Sequence, residues 1–300
     1  MRVFLTGATG FIGSRIVSEL IGAGHEVLGL TRSDQGAAAL VKAGAQVYRG
    51  ILEDPKSLAL GAAQADAVIH TAFDHDFTNF VANCEKDQRV IEAIGDALAG
   101  SSKPFLITSG VGMGNGVPGE PALEQQFDRN NANPRRLSEV AGEAAAAKGV
   151  SVAVVRLPQV HDTEKQGLIT PMIEIARARG FAAYVGEGAE RWSAAHVSDV
   201  ARLYRLALDR HEAGARYNAV AEEGVSARQV AEAVGRGLGI PVRSLTMDQV
   251  PQYYGSFAHF ATLDMPASSQ WTRKQLDWTP TGPDLLSDLL DMDYNTAAAH

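Results

Sequence analysis

Apolar residues follow two alternating spacings over the first half of the chain. RVFLTG is a continuous β-prone run and predicts a strand. In FIGSRIVSELIGAG, which follows, Ile12, Ile16, Val17, Leu20 and Ile21 recur at helical spacing and mark one face of a helix. HEVLGLTR predicts a second strand, QGAAALVKAG a second helix and AQVYRGIL a third strand. PKSLALGAAQA reads as a helix with Pro55 in its first turn and Asp54 as its cap. DAVIHTAF and KPFLITSG are further strands, separated by a long helical segment over about residues 77–99. NPRRLSEVAGEAAAAKG predicts a helix with Asn133 as N-cap and Pro134 in its first turn, carried by alanine to Gly149. VSVAVVRLP is the next strand.

Strand–helix alternation of this kind predicts an α/β protein with a doubly wound, parallel Rossmann sheet covered by helices on both faces. After Pro158 the alternation weakens, and glycine, proline and aromatic residues scatter. Residues 1–157 are therefore expected to form the sheet domain. Residues 158–300 are expected to form mainly a smaller substrate-binding lobe, part of which returns to the sheet. With 300 residues, 45% of them apolar, there is ample material for a core. The formal net charge of −8 argues against a basic face and so against nucleic acid as a partner. Cys84 is the sole cysteine, which excludes an internal disulfide or a cysteine metal cluster, and no metal site is expected. Its expected role is that of a buried small apolar residue. MRVFLTGATG runs straight into a strand without a signal-peptide pattern, and no run reaches the ~20 apolar residues of a membrane helix. A cytoplasmic protein with no membrane partner is expected. The terminal TAAAH is expected to be a frayed end.

TGATGFIG places Gly7, Gly10 and Gly13 after a strand and at the opening of a helix. Gly7 permits the tight turn, Gly10 lets the backbone approach a pyrophosphate, and Gly13 lets helix and sheet pack closely. The helix N-terminus adds free N–H groups and a positive dipole end. Dinucleotide binding is the reading of this turn. The second strand ends in Thr31, Arg32 and Ser33. A carboxylate there would suit the adenosine ribose of NAD. Arg32 and Ser33 suit a 2′-phosphate instead, so NADP(H) is the preferred cofactor. NAD(H) stays open because Asp34 is adjacent.

In the order and spacing of its motifs the chain resembles the extended and atypical branches of the short-chain dehydrogenase/reductase superfamily, the NAD(P)-dependent epimerase/dehydratase type. TGATGFIG matches the glycine motif, DAVIHTAF the fourth strand, LITSG the fifth strand with its Ser/Thr, VVRLPQVHD the nicotinamide-side strand, and AAHVSDVARLYRLALD the pocket-side segment and helix. The resemblance implies a cofactor site built from Gly7, Thr9, Gly10, Phe11, Ile12, Gly13, Arg32, Ser33, Leu52, Thr71, Ala72, Thr108, Leu157, Pro158 and Val160. It points to Phe73, Gly110, Tyr184, Arg191, Trp192 and His196 as substrate-pocket candidates, with Tyr253 and Tyr254 nearby. A helix N-cap is expected at Ser198 or Asp199. The resemblance also implies a homodimer through a four-helix interface made by the segments 77–99 and 134–148, with Ala141, Ala144 and Ala145 permitting close approach.

The catalytic pair of that family is a tyrosine and, four residues later, a lysine that lowers its pKa. With Glu143 on the family's helix glutamate, these positions hold Arg135 and Glu139, and no tyrosine lies between Tyr48 and Tyr184. An arginine is always protonated and is a poor acid. Arg135 and Glu139 are therefore expected to form a surface i,i+4 ion pair. Proton delivery is assigned to Ser109, to His161, or to water between them and the substrate. The expected function is an NADP(H)-dependent oxidoreductase reducing a small carbonyl or related unsaturated compound. An epimerase or dehydratase on the same cofactor, and a non-catalytic NADP(H) sensor, are the alternatives.

Overall fold

A computed structural model describes residues 1–117 and 119–294, without the side chain of Phe77. The terminal TAAAH, expected to fray, lies outside the described residues. Strands β1 (Arg2–Thr6), β2 (Glu26–Thr31), β3 (Gln46–Arg49), β4 (Ala67–His70), β5 (Pro104–Gly110), β6 (Ser151–Leu157), β7 (Gln159–His161), β8 (Ala182–Val185), β9 (Arg191–His196), β10 (Arg216–Asn218), β11 (Glu222–Ser226) and β12 (Val242–Leu245) are joined by helices. The helices are α1 (Phe11–Gly22), α2 (Asp34–Lys42), α3 (Pro55–Ala63), α4 (Phe80–Leu98), α5 (Arg136–Ala147), α6 (Ile169–Arg179), α7 (Val197–Asp209) and α8 (Ala227–Leu238). Four shorter ones follow: α9 (Val250–Tyr254), α10 (Ala258–Ala261), α11 (Gln270–Leu276) and α12 (Leu285–Asp291).

The main sheet has seven parallel strands in the order β10-β6-β5-β4-β1-β2-β3. The chain winds outward in both directions from the β1/β4 pair, the switch point beside which the strand C-termini open a crevice. Alternation along each strand feeds two cores. Val3 and Leu5 of β1, Ile69 of β4 and Leu106 of β5 meet α1 and α7 through Ile16, Leu20, Leu203 and Tyr204. Phe4, Val68, Phe105 and Ile107 face the other way, onto Leu58 of α3, Ile91 and Ile94 of α4, and Ala141 and Ala145 of α5. β10 adds a parallel strand beside β6. The chain beyond β6 otherwise builds a three-stranded sheet, β11-β9-β7, and a two-stranded one, β12-β8, around a third core containing Ile173, Trp192, Val234, Tyr254 and Leu289.

Local chemistry moved several expected details. α3 begins as expected, with the Asp54 carboxylate accepting from Ser57 N. α5 begins at Arg136, because Asn133 and Pro134 form a preceding turn in which Asn133 Oδ1 accepts from Arg135 N. α7 is capped by His196, whose ring accepts from Ser198 N, and not by Ser198 or Asp199. The Asp199 carboxylate is taken by Thr281 N, Gly282 N and Arg202. Ala141 and Ala145 pack within the chain: both are buried, and a Cβ on Gly95 of α4 would lie 2.8 Å from that of Ala145. Cys84 is buried, and burial pushes its thiol up to about 11. Among the described residues no helix is long and apolar enough to cross a membrane.

Candidate active site

The crevice at the strand ends is shaped first by its glycines. Gly7 has φ +69°, and a Cβ there would lie 2.7 Å from Thr71 Oγ1 and 2.8 Å from Ala72 N. A Cβ on Gly13 would be driven into the Gly7 carbonyl, so α1 sits as close to the turn as backbones allow. At Gly10 an added Cβ would meet the Gly7 carbonyl oxygen alone, at 3.2 Å, which leaves the outer side of the loop open. Gly10 is also the N-cap of α1, and no side chain caps it. The first-turn N–H groups of Phe11 and Ile12 are thus directed, with the helix dipole, at whatever lies over the loop. Thr9 and Gly10 are exposed and Phe11 and Ile12 half-buried along this rim.

Beyond β2, Arg32 and Ser33 are exposed. Ser33 caps α2 by accepting from Gly36 N at 3.0 Å, and its O–H remains a donor. The Asp34 carboxylate is held by Arg49 at 2.5 Å. Leu52 is half-buried after β3, where Lys86 ties the loops following β3 and β4 by pairing with Glu53 at 2.7 Å and Asp74 at 2.9 Å. Thr71 and Ala72 close the floor, their N–H groups donating to Thr6 Oγ1. Leu157 and Pro158 are half-buried at the end of β6, and Val160 is buried in the core beneath.

A buried polar chain runs from this floor into α5. The Thr6 hydroxyl, already accepting two N–H groups, donates to His70 Nδ1 at 2.7 Å. His70 Nε2–H therefore donates to Asp87 Oδ1 at 2.9 Å. The other carboxylate oxygen accepts from Ser138 Oγ and from Arg135 Nη1, each at 2.6 Å. Burial would raise the Asp87 carboxyl, but Arg135, His70 and Ser138 together hold it down at about 2. Arg135 Nη2 donates to the Thr108 carbonyl at 2.9 Å, and the guanidinium lies 4.1 Å from the centre of the Phe73 ring. Thr108 Oγ1 donates to the His70 carbonyl and accepts from Tyr204 OH at 2.7 Å, on the α7 face of the sheet. Ser109, one residue on, faces the opposite side, the side of Ile107 and α5. It is 3% exposed and its Oγ has no hydrogen-bond partner among the described residues. Gly110 follows, half-buried.

The expected surface pair Arg135–Glu139 does not form. Glu139 is turned away from the crevice and buried, accepting from Arg156 Nε at 2.7 Å and Nη2 at 2.9 Å and from Arg216 Nε at 2.9 Å. Arg156, also fully buried, further donates to the carbonyls of Leu123 and Gln126. The i,i+4 spacing was legible, but it could not show that each residue had a better-buried partner on another element. Asp87, Ser138 and His70 carried no sequence signal as site residues. They sit in ordinary helical and strand patterns, and what joins them is the packing of α4 and α5 on β4.

The pocket candidates do not converge on one place. Phe73 stands at the crevice, edge-on to Phe80, which reaches Phe260 from the third core. Arg191 pairs with Asp264 at 2.8 Å, and Trp192 is buried with its N–H on the Leu263 carbonyl, so both fasten β9 to the 263–265 segment. Tyr184 lies on β8 under the guanidinium of Arg228. The Tyr253 and Tyr254 hydroxyls are spent on the Phe181 and Ala183 carbonyls, and both rings line a surface hollow of about 530 Å³ with Glu174, Arg179 and Phe257. His161 is fully buried, with Nδ1 2.7 Å from Asp288 of α12, and its neighbours are His196, 5.9 Å between ring centres, and Glu222. No hydrogen bond among the described residues links it to Ser109. Burial lowers the His161 imidazole against the opposing pull of Asp288.

The profile of the NAD dependent epimerase/dehydratase family matches residues 3–220. An uncharacterized protein of Schizosaccharomyces pombe is 42% identical over 98% of this chain and 100% of its own length. A ketoreductase of Stigmatella aurantiaca is 26% identical over 72% of this chain and 67% of its own. Among solved structures, the Thermus thermophilus UDP-glucose 4-epimerase in complex with NAD superposes with a TM-score of 0.74 at 20% identity, covering 100% of both chains.

Proposed function

We propose, for a chain that belongs to the NAD dependent epimerase/dehydratase family, that it is an NADP(H)-dependent oxidoreductase that reduces a small carbonyl or related unsaturated compound. The observation that carries this reading is Ser109: an unpartnered, buried hydroxyl at the crevice end of β5. A buried hydroxyl without a partner is costly, and a substrate oxygen would satisfy it. A reduction also asks less of the protein than an epimerisation, which leans on a strong base. Asp87, the buried carboxylate beside Arg135, is consumed by Arg135, Ser138 and His70.

The residues present fit a dinucleotide. Gly7, Gly10 and Gly13, with the N–H groups of Phe11 and Ile12 and the side chain of Thr9, would cradle its diphosphate, and Leu52, Thr71 and Ala72 would line its adenosine side. Thr108, Leu157 and Pro158 would border the nicotinamide, with Val160 in the core beneath them. When bound, the cofactor supplies the reducing equivalent; the chain supplies orientation and charge. Exposed Arg32 and the free O–H of Ser33 favour a 2′-phosphate, and Asp34 is already held by Arg49. The strands and helices beyond residue 158, apart from β10 and α7, would form the substrate lobe. Phe73 and Gly110 are the pocket positions best supported by location. We further propose a homodimer through the outer faces of α4 and α5, with exposed Ala144 at the contact.

The test is a carbonyl panel followed by cofactor absorbance, with NADPH and NADH in parallel and Ser109→Ala as the comparison. Turnover with NADPH that falls about 10²-fold or more in Ser109→Ala, at unchanged NADPH affinity, is expected. Tight NADPH binding with no turnover on any carbonyl would favour a nucleotide sensor.

A further inference from the structure

We propose that Arg135 is the electrophile of this site, its guanidinium holding the substrate oxygen as that oxygen becomes negative while the proton comes from water. The proposal rests on the reductase reading above. A guanidinium has five N–H donors in one plane. Here Nη1 spends two on Asp87 and Ser138, and Nη2 spends one on the Thr108 carbonyl. The Nε–H and the second Nη2–H have no partner among the described residues.

Three features turn those two donors into a prepared site. The Thr108 carbonyl that anchors Nη2 belongs to the peptide leading into Ser109, and Ser109 lies on the α5 face. The guanidinium is thereby anchored on the backbone at the end of β5, with its remaining N–H groups left for one substrate oxygen. The Phe73 ring covers one face of the guanidinium, and the Arg135 side chain is 13% exposed, so water screens its charge weakly. Finally, the group cannot swing away. Asp87 is fixed by His70, His70 by Thr6, and Thr6 by the backbone of Thr71 and Ala72 at the crevice floor. Donors held in place before the charge develops cost no reorganisation when it does.

Arginine does not release its proton, so it takes over one of two jobs. The cofactor, when bound, would supply the hydride that the carbonyl carbon gains as the C–O π pair moves onto oxygen. Arg135 would hold that oxygen until it takes a proton from water, leaving hydroxide. Asp87 acts through Arg135 as a positioning residue.

The experiment pairs kinetics with a binding readout. Benzoate serves as the anionic probe and benzamide as its neutral counterpart, titrated calorimetrically into the protein with and without NADP+. Arg135→Ala should weaken benzoate at least about tenfold and leave benzamide unchanged, lower kcat roughly 10²–10³-fold with KM little altered, and recover part of its turnover when guanidinium ion is added. Because that variant strands the buried Asp87 charge, a double variant, Arg135→Gln with Asp87→Asn, removes both charges together. A folded double variant with wild-type turnover and wild-type benzoate binding would overturn the proposal and leave the reductase reading standing. If the wild type reduces no carbonyl while benzoate still depends on Arg135, the reductase reading falls, and the catalytic assignment falls with it.

Discussion

A buried guanidinium stays folded into a protein only while its carboxylate partner is present. Arg156 and Glu139 are such a pair, both fully buried and joined by two hydrogen bonds. Glu139→Ala leaves Arg156 without its counter-charge and should cost about 3–5 kcal/mol of stability, read as a lowered urea midpoint at constant slope. A surface pair would have cost a few tenths. Arg32 makes the opposite case, an exposed side chain whose worth appears only with ligand. Arg32→Asp should weaken NADPH by roughly 2–4 kcal/mol and NADH little, with the melting temperature unchanged. Unaltered nucleotide preference in a direct titration would reject the 2′-phosphate assignment. His161 ties pH to stability. Its imidazole is lowered by burial from an ordinary 6.5. The neutral ring therefore stabilises the fold above that value, and the contribution is lost as pH falls below it and through the depressed folded value. Unfolding midpoints at pH 8 and pH 5 should differ more in the wild type than in His161→Gln.

The glycine turn and α1 act as one element, and its three glycines separate by what each Cβ would meet. Gly13→Ala drives a methyl into the Gly7 carbonyl, where backbone on both sides cannot give. It should lower the melting temperature and abolish nucleotide binding together. Gly10→Ala meets one carbonyl oxygen at 3.2 Å and otherwise open space. It should melt near the wild type and still bind NADPH at least about tenfold more weakly, since the methyl occupies the approach to the loop. Equal nucleotide affinity in Gly10→Ala, measured by fluorescence titration, would remove the loop from the cofactor site. α5 shows the same principle from within: Gly142 lets it close on Ile107, which a Cβ there would approach to 2.5 Å.

For the molecule as a whole, the parallel sheet opens the crevice at its strand ends, and the third core packs the chain beyond it. α12 reaches back to β7 through the Asp288–His161 contact, and β10 crosses from the second half of the chain to the edge of the main sheet. Sedimentation at micromolar concentration should show a dimer if the outer faces of α4 and α5 pair. Monomer alone at that concentration would remove the proposed interface.

Strand and helix alternation, and the glycine turn with the family's nicotinamide cofactor class, were legible along the chain. They depend on residue identity at short spacing, through backbone sterics, periodic burial and local charge. The partners of Arg135, Glu139 and His161 were not legible. Asp87 lies 48 residues from Arg135 and Asp288 lies 127 from His161, and no local pattern encodes which charge a buried charge will meet. The dispersal of Tyr184, Arg191 and Trp192 among separate contacts has the same origin. Desolvation makes an unpaired buried charge or hydroxyl costly, so the choice among available partners is settled by how helices dock on the sheet. That docking is a property of the folded chain as a whole.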